Sequence, residues 1–327
     1  MRKKENKKGT AGKILSIIIV LILIVLILVL SYFLYLNIPR EPENLNVEIE
    51  KPEYITDSSL SSEVKQFYPE MKFNHNKITY KIGTGCSDEK KQRMLKAFDI
   101  LSEKVRYLTF EPSLNNPDIE ISCNKKTKEN IEDKHFIAGE GGAKEIIKTN
   151  RYNIITNGVI YLYDDPDFKT IDCEYPNVEM HELMHVFGFD HTSDKESLMF
   201  PLLDSCDQTL DYTIISKLIS LYAQPNLPDL YFEDIKVVKK GRYLDFNLTI
   251  RNSGLIDAEE TNIVILEDLK KIDQREINSL NFGAGISLQT TNLKLNSLNP
   301  KEIRFIIDME NKIIEIDKNN NIAKIKL

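Results

Sequence analysis

The most constraining part of this chain is an eleven-residue run, His181–His191, that reads H-E-x-x-H-x-x-G-x-x-H. On a helix, His181 and His185 would project from one face, about one turn apart. Gly188 supports the left-handed conformation that often ends a helix, so the chain can turn back and bring His191 to the same place. Only 5 histidines occur in the chain, and three of them lie in this run. The spacing predicts a three-histidine zinc site with one open position, which is the catalytic rather than the structural arrangement.

Glu182 follows the first histidine directly, where its carboxylate can reach a water on a metal held by the histidines. Structural zinc sites have no need of a base at this position, so Glu182 indicates hydrolytic chemistry. The competing interpretation is that the histidines are unrelated core and surface residues. A turn-like sequence, Ser197-Leu198-Met199-Phe200-Pro201, follows a few residues later and is a further independent match to a zinc hydrolase. These matches together favour the site.

The N-terminal segment predicts a single-pass membrane anchor. Residues 1–13 carry six Lys or Arg and one Glu, and are interpreted as a basic cytoplasmic tail. Residues 14–36 contain no charge and, as a helix, are long enough to cross the lipid bilayer. Because basic flanks stay in the cytoplasm, everything after Asn37 is expected outside the cell membrane. A cleaved signal peptide is the alternative, although Ser31–Tyr35 offers a poor cleavage site.

The remaining chain divides into a stalk, two domains and a linker. A chain of 327 residues suggests two folded units. Proline-containing polar sequence assigns residues 37–70 to a stalk, and Pro225-Asn226-Leu227-Pro228 marks a linker at 225–228. The predicted domains are therefore residues 71–224 and 229–327. The net charge of −7 argues against a nucleic-acid partner, which would require a basic face.

The two predicted domains differ in their periodicity. Residues 71–224 combine alternating strands with helical spacing, which predicts an α+β domain with a mixed twisted sheet, a long helix, the zinc helix and a closing helix. The expected elements are strands at 78–82, 119–123 and 158–163, a long helix after Ser87, the zinc helix from about Asn177, and a closing helix through 210–221. Residues 229–327 instead show about seven short alternating segments separated by turns, which predicts an all-β immunoglobulin-like sandwich.

The four cysteines are expected to form disulfides if the domain lies outside the membrane. Four cysteines allow three pairings, and spacing alone does not choose among them. The favoured pairs are Cys173 with Cys206, which brackets the zinc helix and the following turn, and Cys86 with Cys123. Free buried thiols are the alternative. None of the four forms a C-x-x-C pair, so a cysteine zinc site or a thioredoxin-like site is not expected.

Residues from about 73 to 223 resemble the metzincin metalloproteases, and among them the matrixins. The resemblance rests on the His181–His191 motif, the methionine turn at 197–201 and the order of elements. It implies that His181, His185 and His191 bind one catalytic zinc, that Glu182 is the general base, and that Met199 lies beneath the ligands. It also implies that Gly158–Tyr163 is an edge strand that pairs with an extended substrate.

The chain departs from the matrixin pattern in three places. No cysteine-switch sequence precedes the domain. The loop rich in His and Asp that holds structural zinc and calcium in many matrixins is missing between His135 and Tyr163, so no second metal site is predicted. Pro201 stands where astacin-like enzymes have a tyrosine, so a tyrosine ligand is not expected.

The glycine-rich run Gly139-Glu140-Gly141-Gly142 lacks the lysine of a phosphate loop and is interpreted as a flexible loop.

The C-terminal segment resembles CARDB-type (cell-adhesion-related) domains of prokaryotic surface proteins. Asn252-Ser253-Gly254 after an alternating strand, Ala258, Asp308 and the late run 316–321 carry this resemblance. Together the features predict a membrane-anchored, extracytoplasmic zinc endopeptidase acting on proteins or peptides near the cell surface. The alternative is a catalytically weak or inactive adhesion or scaffold protein that acts through its sandwich.

Overall fold

The computed structural model describes residues 7–38, 40–52, 65–124, 138–164 and 173–327. These residues form an N-terminal apolar helix, a mixed α/β domain and a β-sandwich. Residues 1–6 of the predicted basic tail and residues 53–64 of the predicted stalk lie outside the described ranges.

Helix α1 runs from Lys7 to Asn37. Its span from Leu15 to Asn37 is 23 residues long, with a mean hydropathy of 3.5 in its most apolar window, and none of that window is buried by the rest of the chain. An uncharged helix of this length with apolar side chains on every face suits a hydrocarbon environment, because all of its backbone polar groups are bonded within the helix. The helix is therefore compatible with a membrane anchor.

The described strands of the α/β domain form one six-stranded mixed sheet. Strands β4, β3, β5 and β7 lie side by side in parallel, and β2 pairs in parallel with the first residues of β7. Strand β6 runs antiparallel to β7. The bounds are Met71–Phe73 for β2, Lys77–Ile82 for β3, Thr109–Pro112 for β4, Ile119–Asn124 for β5, Gly139–Lys148 for β6 and Asn153–Tyr163 for β7.

The predicted edge strand at Gly158–Tyr163 is wrong, because β7 is paired along both sides. Its residues 158–163 pair with β5, and residues 153–162 pair with β6 on the opposite side. Among the described strands, β6 pairs with β7 alone, so β6 forms this edge of the sheet. The run Gly139-Glu140-Gly141-Gly142, interpreted above as a flexible loop, is the beginning of β6. Its glycines hid the strand because they interrupt any alternation of apolar and polar side chains.

Within its described residues, the α/β domain has three helices: α2 at Asp88–Lys104, α3 at Asn177–Val186 and α4 at Tyr212–Ala223. Ser87 caps α2, since its side chain accepts a hydrogen bond from the backbone N–H of Lys90. Arg93 of α2 donates two 3.2 Å hydrogen bonds to the buried carboxylate of Glu179 in α3. The long helix therefore fixes the first turn of α3 through a charged pair as well as through apolar packing.

The C-terminal domain is a sandwich of two four-stranded antiparallel sheets, ordered β1-β8-β9-β12 and β11-β10-β13-β14. Alternate residues point into a shared core, where Phe246 of one sheet meets Phe305 of the other edge to face at 5.1 Å. The bounds are Glu43–Leu45 for β1, Leu230–Lys240 for β8, Tyr243–Asn252 for β9, Thr261–Glu267 for β10, Lys270–Ile277 for β11, Gly285–Lys294 for β12, Glu302–Ile307 for β13 and Ile322–Lys326 for β14.

Part of the segment assigned to a stalk belongs to this sandwich. Strand β1 pairs antiparallel with the end of β8, matching Glu43 with Lys239 and Leu45 with Val237. Farther along, Glu48 exchanges backbone hydrogen bonds with Lys324 of β14. Leu45, Val47 and Ile49 pack against the sandwich core. This short alternation was too brief to stand out among the prolines and charges of residues 37–70.

The two domains meet through the turn between β6 and β7. Arg151 in this turn places Nε 2.9 Å from the carboxylate of Asp229, whose side chain is fully buried. The Thr149 hydroxyl donates to the backbone carbonyl of Ser253, and Tyr152 packs with Leu255 in a small apolar cluster. The turn is therefore bonded into the sandwich rather than exposed above it.

We expect Arg151→Met to lower the free energy of unfolding by about 3 kcal/mol, because it leaves the buried Asp229 carboxylate without its cation. Guanidinium unfolding of the full chain in detergent, followed by circular dichroism, measures this change. Lys77→Met is the matched control, since Lys77 and Glu111 form an exposed pair whose loss should cost at most about 1 kcal/mol. Equal effects of the two substitutions would contradict the assigned role of Arg151.

Candidate metal centre

Three histidine side chains converge at the end of α3. His181 and His185 lie one turn apart on this helix and are buried, whereas His191 lies beyond the helix and is exposed on one side. Their Nε2 atoms are 3.0 Å apart between His181 and His185, and 3.2 Å apart in the other two pairs. Within the described ranges, this is the one group of three or more His, Cys, Asp or Glu that could hold a metal ion.

Backbone carbonyls orient the two buried imidazoles. His181 Nδ1 donates to the carbonyl of Leu198 at 2.7 Å, and His185 Nδ1 donates to the carbonyl of Phe189 at the same distance. Since a carbonyl can only accept, each Nδ1 carries the proton and each Nε2 presents a lone pair to the centre. Such a bond to the other ring nitrogen is the usual support of a histidine that binds metal.

The environment keeps the imidazoles neutral, which is the protonation state that a metal ligand requires. Burial, followed by repulsion from His185, lowers the pKa of His181 to about 3. Burial also lowers the pKa of His185 and of His191. The three nitrogens are therefore available as donors at neutral pH.

Gly188 and Met199 take positions that support the site. Gly188 has a φ of +86°, and a Cβ there would collide with Sδ of Met71, so both the conformation and the space require glycine. The chain then reverses and returns to His191. Met199 is buried, and its carbonyl accepts a hydrogen bond from Thr192 N–H, which ties the methionine turn to the segment after the third histidine. Pro201 follows Met199 by two residues and is exposed on the surface.

Glu182 is enclosed between α3 and β6. Its side chain is buried, and a Cβ on Gly139 would lie 2.7 Å from it. A Cβ on Gly141 would collide with the Glu182 carbonyl, while the Gly141 N–H donates to the Glu182 carboxylate. Burial, with repulsion from Glu140, raises the pKa of Glu182 to about 8. Glycines at these two positions allow the edge strand to approach the helix closely enough to bond this carboxylate.

Both favoured cysteine pairs are bonded in the structure. Cys173 is joined to Cys206, which links the segment before α3 to the segment after the methionine turn. Cys86 is joined to Cys123, which links the start of α2 to the end of β5. The first disulfide therefore closes a loop around the metal centre, and the second holds the long helix to the sheet.

Phe67 is a neighbour of the metal centre that the sequence did not indicate. Its ring stacks on the His185 ring with centroids 6.1 Å apart, and the residue remains 51% exposed. The Phe67 N–H bonds to the carbonyl of Gly188, and the adjacent Gln66 side chain bonds to the carbonyl of Phe187. These contacts join residues assigned to the stalk to the end of the zinc helix, and no spacing in the sequence could have shown them.

Comparison with known families assigns each domain. Residues 72–223 match the family model of the peptidase M10 family, matrixin, and residues 227–324 match the CARDB model. The α/β domain is therefore matrixin-like and the sandwich is a CARDB domain, as the two resemblances predicted. A comparison with curated proteins gave no match.

Similar solved structures are CARDB domains or surface-protein domains. One is the CARDB domain of a Pyrococcus furiosus protein in complex with di-metal ions, at 20% identity, covering 31% of this chain and 87% of that chain with a TM-score of 0.27. Another is a domain of a putative cell surface protein from Methanosarcina acetivorans, at 20% identity, covering 31% of this chain and 91% of that chain with a TM-score of 0.25.

We expect Gly141→Ala to lower the free energy of unfolding by about 1–3 kcal/mol, because the added Cβ would collide with the backbone of α3. Gly142→Ala is the matched control on the same strand, since a Cβ there meets no atom within 4 Å. Thermal unfolding of the two variants and the parent chain gives the comparison. A Gly141→Ala variant as stable as Gly142→Ala would show that β6 does not approach the helix this closely.

Proposed function

We propose that this chain, whose residues 72–223 form a matrixin domain of the metalloprotease kind, is a zinc-dependent endopeptidase anchored in the cell membrane. Its substrates are proteins or peptides near the outer surface of that membrane, and α1 is the anchor, with its basic end in the cytoplasm. The observation that carries the proposal is the convergence of three neutral histidine nitrogens beside a buried glutamate. Lipid is the other partner, contacted through residues 14–36.

The donor set fits zinc. A tetrahedral zinc with Zn–N bonds of about 2.0–2.1 Å needs nitrogens about 3.3 Å apart, and the three Nε2 atoms lie 3.0–3.2 Å apart. Three protein ligands leave a fourth position open, as in catalytic zinc sites. His181, His185 and His191 would hold the ion. Bound zinc would supply Lewis-acid chemistry, lowering the pKa of a coordinated water and polarising the peptide carbonyl.

Glu182 is the proposed general base and acid. Its carboxylate, when ionised, can take the proton of an attacking water and then deliver that proton to the leaving amine. Burial raises its pKa, which makes it a stronger base than an exposed carboxylate, and a cation held beside it would favour the ionised form. One residue can thus serve both halves of peptide hydrolysis.

Strand β6 is the proposed binding edge for an extended substrate. Among the described strands its outer side has no partner, and its glycines bring it against Glu182. An extended peptide that added to this edge would be held by backbone hydrogen bonds, which do not depend on its side chains. The scissile bond would then lie beside the general base.

The alternative function is that of an adhesion or scaffold protein with an inactive metal domain. The CARDB sandwich and the anchor favour it, because both suit a surface protein without requiring catalysis. An inactive domain has no reason to retain a base beside three neutral ligands, so Glu182 favours the peptidase. Hydrolysis measured on the purified chain separates the two functions.

We expect Glu182→Gln to retain bound zinc and to lower kcat/KM for an unfolded protein substrate by a factor of about 10²–10⁴, because it removes proton transfer. Cleavage of denatured casein by the full chain in detergent gives the rate, and elemental analysis gives the zinc content. Glu120→Gln is the control, since Glu120 is exposed on β5. A Glu182→Gln variant as active as this control would rule out Glu182 as the base.

Zinc removal by a chelator should lower the thermal unfolding midpoint, and one equivalent of zinc should restore it, since a ligand of the folded state stabilises that state. His185→Ala should abolish the restoration. His75→Ala should preserve it, because His75 bonds to Asn74 and Asp118 and is not part of the three-histidine group. Retained stabilisation in His185→Ala would place the zinc elsewhere.

A further inference from the structure

One end of the sandwich lies at the exit of α1. The helix ends at Asn37, and only residues 38–42 separate it from β1. Five residues span at most about 17 Å when fully extended. The turn between β8 and β9 contacts the segment that leaves α1. A Cβ on Gly241, in this turn, would be 3.3 Å from the carbonyl oxygen of Ile38 and 3.2 Å from Cγ of Arg40. The sandwich therefore stands directly on the end of the proposed anchor.

The hairpin between β10 and β11 points from the same end. Arg242, next to the β8–β9 turn, donates to the carbonyl of Asn296 at 2.7 Å. The Asn296 N–H in turn donates to the carboxylate of Glu267 at 2.6 Å. Glu267 is the last residue of β10 and pairs with Lys270, so Asp268 and Leu269 form the hairpin tip. The tip thus lies beside the turn that touches the segment leaving α1.

Leu269, at the tip, is not among the described side chains that pack against the sandwich core. It is 66% exposed, although leucine is a strongly apolar residue. Its φ is +69° and that of Asp268 is +46°, so the two-residue turn uses left-handed conformations that favour Asn and Gly. A leucine here is both strained and exposed to water. An apolar environment outside the domain would account for its presence.

The residues around the tip suit a lipid headgroup layer. Lys270 follows Leu269, and Lys301 lies beside it because its N–H donates to the Asp268 carboxylate. The Lys271 ammonium bonds to Gln274, farther along β11 from the tip. Lys270 and Lys301 are both exposed. The Asp268 carboxylate also accepts the Glu302 N–H, so one of its oxygens bonds back to the backbone of the domain. An apolar tip flanked by lysines can place its leucine among acyl chains while the ammonium groups remain with the phosphates.

We propose that the β10–β11 tip inserts Leu269 into the surface of the bilayer that α1 spans, so that the sandwich contacts the membrane as a second attachment beside the anchor. This inference rests on the proposed membrane anchor and is independent of the proposed peptidase activity. It assigns the CARDB domain a lipid partner, with its peptidase-facing end directed away from the membrane.

The test uses the absence of tryptophan from the chain, which makes an introduced tryptophan the sole one. The full-length Leu269→Trp variant is reconstituted into vesicles of phosphatidylcholine and phosphatidylglycerol whose acyl chains carry bromine near the headgroup. Bromine quenches tryptophan fluorescence on contact. We therefore expect a blue-shifted emission in vesicles without bromine and the loss of that emission in the brominated vesicles. Lys270→Glu with Lys301→Glu in the same chain should weaken this quenching.

Ile314→Trp is the matched control. Ile314 is 73% exposed at the opposite end of the sandwich, where the neighbouring Glu315 bonds to the first residue of β8. Its emission should stay red-shifted and unaffected by bromine. Equal quenching at both positions, or none at position 269, would overturn the inference. So would a blue shift at 269 without bromine quenching, which would indicate a protein partner such as a second copy.

Flotation of the same vesicles separates failure of the anchor from failure of the tip. A Leu269→Trp chain that floats with the vesicles while its tryptophan is not quenched retains its anchor and lacks the proposed insertion. A chain that does not float overturns the anchor and the insertion together. Casein cleavage by the same sample reports on the peptidase independently of either result.

Discussion

The Nε2 atoms of three histidines lie 3.0–3.2 Å from one another at the end of α3. Those of His181 and His185 face the centre with lone pairs, an arrangement that is unfavourable unless the surrounding chain enforces it. The carbonyls of Leu198 and Phe189 enforce it by accepting the Nδ1 protons of His181 and His185. Those carbonyls are in place because Gly188 reverses the chain after α3 and the disulfide between Cys173 and Cys206 brackets it. The fold around α3 thus holds together an electrostatically costly group of nitrogens that could bind a metal ion.

Local patterns predicted the elements of this fold better than they predicted its pairings. The histidine spacing, the methionine turn and the seven alternating segments of the sandwich each follow from a period that a single element displays. Strand neighbours depend on residues distant in sequence. The sequence therefore predicts a loop at residues 139–142 and an edge strand at Gly158–Tyr163, whereas β6 forms this edge of the sheet. Phe67 illustrates the limit most clearly, because its stacking on His185 joins two segments that share no pattern.

Both domains contact the same structural element, the β6–β7 hairpin. At one end, Gly139 and Gly141 bring β6 against Glu182. At the other, Arg151 is paired with the buried Asp229 of the sandwich. A displacement of the sandwich would therefore act on the same hairpin that packs against Glu182.

The length of strand β8 sets the distance between the exit of α1 and the α/β domain. It begins at Leu230, beside the domain interface, and ends at Lys240, beside the exit of α1. Its 11 residues span about 35 Å, at roughly 3.3 Å per residue. In an anchored chain whose sandwich strands are perpendicular to the membrane, the matrixin-like domain would lie at about that distance from the lipid surface. Peptide bonds close to the lipid surface would then lie below the proposed active site. A peptidase held at that height would cut chains that extend outward by a comparable distance.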